Sequence, residues 1–211
     1  MCSASHRCWE GAITTNSGFV VKRRAVLERG TTLFQQGERF TAVHVVASGC
    51  LKLRETNEDG GERIVAVRLP GELVGMEAWA RGRYPYTAEA AAPTKVCQLQ
   101  WPHAKGCAPS TALLERLLRK TAVQLEHSTR VWMSLPAIER VAAFLDHFAQ
   151  HARPSVDLPI TRAEIGSLLG LAEETVVRAI ARLRAQQRLD MQGRRIARVV
   201  RERREPGAQG R

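Results

Sequence analysis

The sequence predicts an α+β fold in three parts: a β-roll, one long helix, and a helix-turn-helix with a β-hairpin wing. Three observations predict it. Glycine-punctuated, partly alternating apolar runs extend from Val26 to about Trp101, and helical spacing of apolar residues follows from Ser110 to Ser134. Residues 160–180 then carry the pattern of two short helices joined by a tight turn. The 211 residues suffice for two small domains around a long helix.

Short runs of β-branched residues in the first part predict strands. Val43–Val46 and Ile64–Val67 favour pleated structure, because branching at Cβ suits a strand better than a helix. Several short strands at this spacing imply a small β-barrel or jelly roll. The glycines expected to mark its turns or bends are Gly37, Gly49, Gly60, Gly61, Gly71 and Gly75.

The segment from Ser110 to Ser134 is predicted to be one amphipathic helix. Part of its apolar stripe would cover the roll, and the rest could pack against a second copy as a coiled-coil seam. The alternative is a helix buried only within its own chain. Pro136 should end this region, with a new helix over Ala137–Ala152. We expect a sensor domain at 1–108, a dimerisation helix at 109–135, a DNA-binding domain at 136–203 and a disordered tail at 204–211.

Residues 160–180 predict a helix-turn-helix, because small, apolar and capping residues stand where that motif needs them. Gly166 would let the second helix approach closely, and Gly170 permits the positive φ of the turn. Thr161 is a good N-cap, and Glu164 three residues later completes a capping box. The residues expected to fill the shared core are Ile165, Leu169, Leu171, Val176 and Ile180.

The outer face of the second helix then carries the candidate base readers. Arg178 can make a bidentate contact with guanine, Glu174 can accept from cytosine, and Val177 offers a methyl surface to thymine. The alternative is that Glu174 and Arg178, four residues apart, form only a solvent-exposed ion pair.

The charge distribution favours a polyanionic partner. The chain carries a net charge of +11, and its last 39 residues hold 11 basic and 5 acidic side chains. Leu189–Val200 is predicted to form a hairpin that turns near Gln192–Gly193, with Arg194 and Arg195 at its tip. The alternative is a protein that is merely basic, or one that binds DNA without reading its sequence.

Several classes are disfavoured by what the sequence lacks. It has no run of 18 apolar residues and no signal-peptide pattern, so no membrane span is expected and the expected location is the cytoplasm. The five cysteines are odd in number, which argues against a framework of structural disulfides. No GxSxG, GxxxxGK[ST] or HExxH motif is present, so we do not expect an enzyme.

The assembled pattern resembles the CRP/FNR family of bacterial transcription regulators over nearly the whole chain. The most specific pieces are ITRAEIGSLLGLAEETVVR, LPGELVG and KVCQL, which look closest to the oxygen-sensing FNR branch. The resemblance implies a cyclic-nucleotide-binding-like roll, a homodimer, palindromic double-stranded DNA operators and RNA polymerase as a partner. Glu174 and Arg178 occupy the family's base-reading positions, and Val177 replaces a serine. Thr161 and Arg162 match positions that touch phosphates.

Cyclic-nucleotide binding is not expected from the resemblance. The cyclic-AMP branch needs a glutamate for the ribose and an Arg-Ser pair for the phosphate, where this chain has Met76, Tyr86 and Thr87. Arg81 and Arg83 are nearby, but they lie in the predicted loop ARGRYP.

The FNR branch implies a four-iron four-sulfur cluster, held by three N-terminal cysteines in a C-x2-C-x5-C pattern and a distant fourth. Cys2 and Cys8 match the second half of that pattern, and Cys97 matches the distant ligand. The first cysteine would fall two residues before Met1, so a downstream start is one explanation. Other readings are a substitute ligand, a sensor that works by thiol oxidation, or a constitutively active regulator without a cluster. The candidates for a substitute ligand are His6, Cys50 and Cys107. For the two cysteines, the alternative is a packing role in the core or in a loop. A haem or nitric-oxide sensor would use His6, His44 or His103 instead.

Overall fold

The computed structural model describes residues 20–100, 111–133, 135–151, 157–193 and 195–199. In these ranges the chain forms an antiparallel β-roll, then four helices, then a two-stranded hairpin. The predicted α+β fold is therefore confirmed, with the roll first and the helix-turn-helix domain last. The N-terminal cysteines, His103, Cys107 and the expected tail lie outside the ranges described.

The roll consists of two four-stranded antiparallel sheets. Its strands are β1 Val20–Leu27, β2 Thr32–Phe34, β3 Ala42–Ser48, β4 Leu51–Thr56, β5 Glu62–Arg68, β6 Leu73–Val74, β7 Thr87–Ala90 and β8 Thr94–Gln100. The first sheet has the order β1-β8-β3-β6 and the second the order β2-β7-β4-β5. Both predicted β-branched runs lie inside strands, β3 and β5.

Two glycines let parts of the roll approach each other closely. A Cβ on Gly49 would lie 2.4 Å from the carbonyl oxygen of Pro93, and one on Gly75 would lie 2.9 Å from the ring of Tyr84. Both glycines have φ of +88°. The Tyr84 ring stacks on Phe34 of β2 at 3.8 Å between centroids, and its hydroxyl donates to the carbonyl of Ala42. Side-chain atoms at either glycine would therefore disturb this packing.

The first helix runs beside the roll. Helix α1, Thr111–Met133, buries Leu117 completely in the core of the roll, while Leu118, Val123 and Leu125 are exposed. The predicted long helix is thus present, and part of its stripe covers the roll as expected. None of the helices described is both long and apolar enough to cross a membrane.

The C-terminal domain contains three helices and a hairpin around a second core. Its elements are α2 Ala137–His151, α3 Arg162–Leu169, α4 Glu173–Ala185, β9 Leu189–Gln192 and β10 Arg195–Val199. This core also includes five residues of the roll: Cys50, Ile64, Val67, Leu69 and Ala91. The helix-turn-helix domain is therefore packed directly on the roll of its own chain.

Candidate nucleic-acid interface

Helix α3 begins with a complete capping box. The hydroxyl oxygen of Thr161 accepts from the backbone N–H of Glu164 at 3.1 Å, and the Glu164 carboxylate accepts from the N–H of Thr161 at 2.7 Å. Burial alone would raise the pKa of Glu164, but hydrogen bonds from Thr161 and Lys52 outweigh it and hold that pKa below its ordinary value. The predicted cap is confirmed, and it fixes the start of α3 at an exposed corner of the domain.

The turn between the two helices depends on two glycines. A Cβ on Gly166 would lie 2.5 Å from the carbonyl oxygen of Leu171, and Gly170 has φ of +63°. The N–H of Leu171 donates to the carbonyl of Gly166 at 2.9 Å, which closes the turn. Both predicted glycine roles are confirmed, so the angle between the helices follows from local sequence.

Helix α4 has one buried and one exposed face. Val176, Ala179, Ile180 and Leu183 are buried in the second core. The exposed face contains the residues predicted to read bases, Glu174, Val177 and Arg178, together with Glu173 and Ala181. Val177 keeps 44% of its surface exposed although it is apolar, so this face carries both polar and methyl groups outward.

Arg178 lies on the outer face of α4 near Glu174. Its Nε donates to the backbone carbonyl of Glu174 at 3.3 Å, and among the residues described no carboxylate pairs with the guanidinium group. The predicted alternative, an exposed ion pair between the two side chains, is therefore not the contact that forms. The Nη1 and Nη2 groups of Arg178 remain available to another acceptor, and so do both oxygens of the Glu174 carboxylate to a donor.

Thr161 and Arg162 stand exposed at the N-terminus of α3. Backbone N–H groups in the first turn of a helix attract anions, and an arginine beside them adds a full positive charge. This corner can therefore hold a phosphate group. Its chemistry differs from that of α4, because a phosphate contact carries no sequence information.

The predicted hairpin follows α4. Strands β9 and β10 pair antiparallel with Gly193 at the turn, where φ is +60°. Leu189, Met191 and Ile196 are buried in the second core and fasten the hairpin beside α4. Arg194 lies outside the residues described, and Arg195 begins β10.

The predicted cluster ligands are not brought together in the part of the chain described. Cys97 lies in β8, buried, with its backbone paired to Val45 and Arg24, whereas Cys2 and Cys8 precede the described residues. Between residues 20 and 199, the described side chains include no group of three histidine, cysteine or acidic residues arranged to hold a metal ion. Burial raises the pKa of the Cys50 thiol, with Glu72 adding to the effect, and this agrees with a packing role for Cys50.

The residues at the positions where a cyclic-nucleotide site would be expected pack in the core, bond to other parts of the roll or lie exposed. Met76 is buried in the core of the roll, and the Thr87 hydroxyl accepts from the N–H of Gln36 at 3.0 Å. Arg83 is exposed and donates to the carbonyl of Gly37 at 2.7 Å, and Arg81 is exposed in the same loop. Tyr86 packs against the core of the roll, half-buried.

One haem-ligand candidate, His44, is deeply buried. It is 5% exposed, and its ring lies 5.8 Å from that of Phe34. Burial lowers its pKa from 6.5 to about 4, so it is a neutral side chain near pH 7. His6 and His103 lie outside the residues described.

Sequence reasoning missed the contacts between the helix-turn-helix and the roll. Lys52 of β4 pairs with Glu164 of α3, and Ser167 of α3 accepts from the N–H of Ile64 in β5. These partners are 112 and 103 residues apart, and neither position shows a charge or spacing pattern that points to the other.

Two family models match the chain. A cyclic nucleotide-binding domain matches residues 24–105, and a Crp-like helix-turn-helix domain matches residues 139–204. The two matches cover the roll and the domain that carries the candidate interface.

Similar proteins share both parts. The chain is 33% identical over 187 residues to the transcriptional activator protein FnrA of Stutzerimonas stutzeri, covering 84% of this chain and 77% of that one. It is 29% identical to the fumarate and nitrate reduction regulatory protein of Salmonella typhimurium, covering 84% and 75%. The structure of FixK2 from Bradyrhizobium japonicum matches with a TM-score of 0.70 and 29% identity, covering 87% of this chain and 94% of that one.

Proposed function

Because the chain belongs to the CRP/FNR family of DNA-binding transcription regulators, which are not enzymes, we propose that it reads a palindromic operator with the outer face of α4. Glu174, Val177 and Arg178 read base edges, while Thr161 and Arg162 hold phosphates. The observation that carries this proposal is the division of α4 into a buried apolar face and an exposed face. On the exposed face, the Glu174 carboxylate and the Arg178 guanidinium form no ion pair with each other.

The three base readers supply different kinds of contact in the major groove. The fork of Arg178 matches the two acceptors of guanine, and Glu174 accepts from the amino group of cytosine. The two methyl groups of Val177 can pack against the single methyl group of thymine. A serine at that position would offer a hydroxyl group instead, so this chain should recognise a different base there than a relative with serine.

A homodimer supplies two such faces. The exposed Leu118, Val123 and Leu125 of α1 support a seam between two copies, since a solvent-exposed helix rarely carries this many large apolar side chains. Pairing of α1 would place the two recognition helices at the spacing of successive major grooves, about 34 Å. RNA polymerase is the protein partner that such a regulator would contact on DNA.

The signal we propose is oxygen or redox state, through a four-iron four-sulfur cluster on Cys2, Cys8 and Cys97. The similarity to FnrA supports it. Cys97 fits a ligand role in one respect: its buried thiol would be shielded from water, and the positive charge of iron would compensate for burying a thiolate. The alternative is a regulator without the cluster, which responds through thiol oxidation, haem or nitric oxide, or is constitutively active.

Selection of bound duplexes from a random DNA library tests the DNA-binding proposal. We expect the purified chain to enrich one palindromic sequence, with two half-sites a helical turn apart. Enrichment of no sequence, with binding that follows only salt concentration, would show a nonspecific DNA-binding protein.

Anaerobic purification with an absorbance spectrum and analysis of iron and sulfide tests the cluster separately. We expect a coloured protein whose operator affinity falls on exposure to air. A colourless, iron-free dimer that binds the operator equally with and without oxygen would exclude the cluster and leave the DNA-binding proposal intact.

A further inference from the structure

The first helix of the helix-turn-helix is docked on the edge of the roll. Strand β5 is an outer strand of the second sheet, so some of its N–H groups have no partner strand. Ser167 of α3 takes one of them, because its hydroxyl oxygen accepts from the N–H of Ile64 at 2.9 Å. The Ile64 side chain is buried in the same core as Ile165 and Leu168 of α3. The contact is therefore both apolar and hydrogen-bonded.

A lysine of the roll completes this contact. The Lys52 ammonium lies 2.9 Å from the Glu89 carboxylate of β7 and 3.0 Å from the Glu164 carboxylate of α3. The Lys52 side chain is 18% exposed and that of Glu164 is 24% exposed, so water screens the pair less than an ordinary surface pair. One cation thus ties a strand of the roll to the first turn of α3.

Glu164 links Lys52 to the end of α3 that would meet DNA. One carboxylate oxygen accepts from Lys52, and the other accepts from the N–H of Thr161. Thr161 is one of the two residues proposed to touch phosphates. A short chain of contacts therefore runs from the sheet through one carboxylate to the phosphate-binding corner.

Docking leaves the proposed DNA-binding surface free. Thr161, Arg162, Glu174, Val177 and Arg178 are all exposed while α3 rests on the roll. Docking of α3 on the roll thus does not cover these side chains.

We propose that Lys52 is a positioning residue for DNA binding: through Glu164, it holds the helix-turn-helix in the orientation that reads the operator. This inference rests on the proposed function. The roll then acts on the recognition helices by direct contact with α3, in addition to any effect through α1. Lys52 itself touches no DNA.

The test measures operator affinity for Lys52→Met, which keeps the aliphatic stem and removes the charge. The matched control is Lys95→Met, which removes one charge from an exposed position on β8. The probes are the duplex selected by the wild-type chain and a scrambled duplex of the same composition. We expect Lys52→Met to weaken binding to the selected duplex by about fivefold or more, and Lys95→Met to leave it unchanged.

Two further measurements separate positioning from a direct DNA contact or a general loss of stability. The salt dependence of Lys52→Met binding should equal that of wild type, because each lost phosphate contact would reduce the slope of log K against log salt by about 0.9. Lys52→Arg should restore affinity. Glu164→Gln, which keeps an oxygen for the Thr161 N–H, should weaken binding, and adding it to Lys52→Met should have no further effect.

Each contrary outcome has a distinct meaning. Equal affinities of Lys52→Met and Lys95→Met for the selected duplex would overturn the inference alone, whereas failure of the wild-type chain to select any duplex would overturn the proposed function. A smaller salt slope would make Lys52 a phosphate contact. If Lys52→Met does not fold, Ser167→Ala serves instead, with an expected loss of about twofold, and an unchanged affinity would overturn the docking role.

Discussion

The inside of the roll and the outer face of α4 hold their polar side chains under opposite conditions. His44 faces Phe34 inside the roll, and its Nδ1 has no hydrogen-bond partner among the residues described. Glu174 and Arg178 stand in solvent on α4. A buried polar group costs folding free energy, whereas an exposed one costs almost none and is free for a ligand. Substitutions of buried residues inside the roll should therefore change stability, and substitutions on the exposed face of α4 should change affinity.

The largest effect we expect is the loss of operator binding in Arg178→Ala. Each half-site would lose about 1–3 kcal/mol of specific binding free energy, so a dimer would lose about twice that. The free energy of unfolding should change by less than about 0.5 kcal/mol, since the side chain is exposed. Gel shifts with the selected duplex measure the first quantity and thermal unfolding the second. Arg182→Ala, which also changes an exposed residue of α4, is the control and should keep its preference for the selected duplex. If Arg178→Ala still prefers the selected duplex over a scrambled one, Arg178 is not a base reader.

The next largest effect is a change in acid stability in His44→Leu. The pKa of His44 is about 4 in the folded chain and about 6.5 when unfolded, so only the unfolded chain binds this proton between those values. The stability tied to neutral His44 is complete above pH 6.5 and is lost as pH falls toward 4. From the pKa difference, the loss is about 3 kcal/mol.

Denaturant unfolding at pH 7 and at pH 4.5 measures this effect. The wild-type chain should lose more stability between the two values than His44→Leu does, by about 2–3 kcal/mol. Phe40→Leu, another core substitution in the roll, should lower stability at both pH values without changing their difference. Parallel pH profiles for wild type and His44→Leu would contradict a neutral, buried His44.

A smaller loss of stability is expected for Gly166→Ala. The new methyl group would meet the Leu171 carbonyl oxygen at 2.5 Å, and backbone atoms must shift to relieve the contact. We expect a loss of about 1–3 kcal/mol in the free energy of unfolding. Gly61→Ala is the control, because its nearest neighbour would be 4.0 Å away, and it should have almost no effect. Equal stability of the two variants would show that the turn tolerates a side chain.

The smallest effect is expected for Thr161→Ala, which removes the N-cap of α3. Loss of a cap costs about 0.5–2 kcal/mol, and the same change removes a proposed phosphate contact. The free energy of unfolding and the affinity for both the selected and the scrambled duplex should therefore fall together. Thr41→Ala, at an exposed position of the roll, controls for the loss of a threonine side chain. Normal stability in Thr161→Ala would mean that the capping box adds nothing to the domain.

The two regions also differ in how far sequence could predict them. The capping box, the turn glycines and the faces of α4 depend on residues within about one helical turn of each other, and helical geometry relates such residues directly. The strands of the roll could be predicted from β-branched runs, but their order could not. The pairing of β1 with β8 joins the first and last strands of the roll in sequence, and no local pattern specifies it.

The contact between Lys52 and Glu164 illustrates what remained beyond sequence reasoning. Glu164 was predicted correctly as a capping residue, yet its second oxygen binds a lysine 112 positions away. For Arg178, the alternative expectation was an ion pair with the Glu174 side chain, whereas its Nε donates to the Glu174 backbone carbonyl. The second partner of Glu164 depended on how separate elements pack. The acceptor of Arg178 lies one turn away in the same helix, so sequence spacing identified the neighbouring residue but not the atom.

The shared second core bears on the exchange of domains between regulators. Because Cys50, Ile64 and Leu69 of the roll pack in the same core as the helix-turn-helix, that domain is not a detachable unit. A chimera that joined it to the sensor domain of another regulator would leave an uncovered apolar surface on α3 unless the new sensor supplied matching side chains. Recombination between regulators of this family should therefore favour variants in which β4, β5 and α3 come from the same parent. This should hold even though α1 and α2 lie between β5 and α3 in the gene.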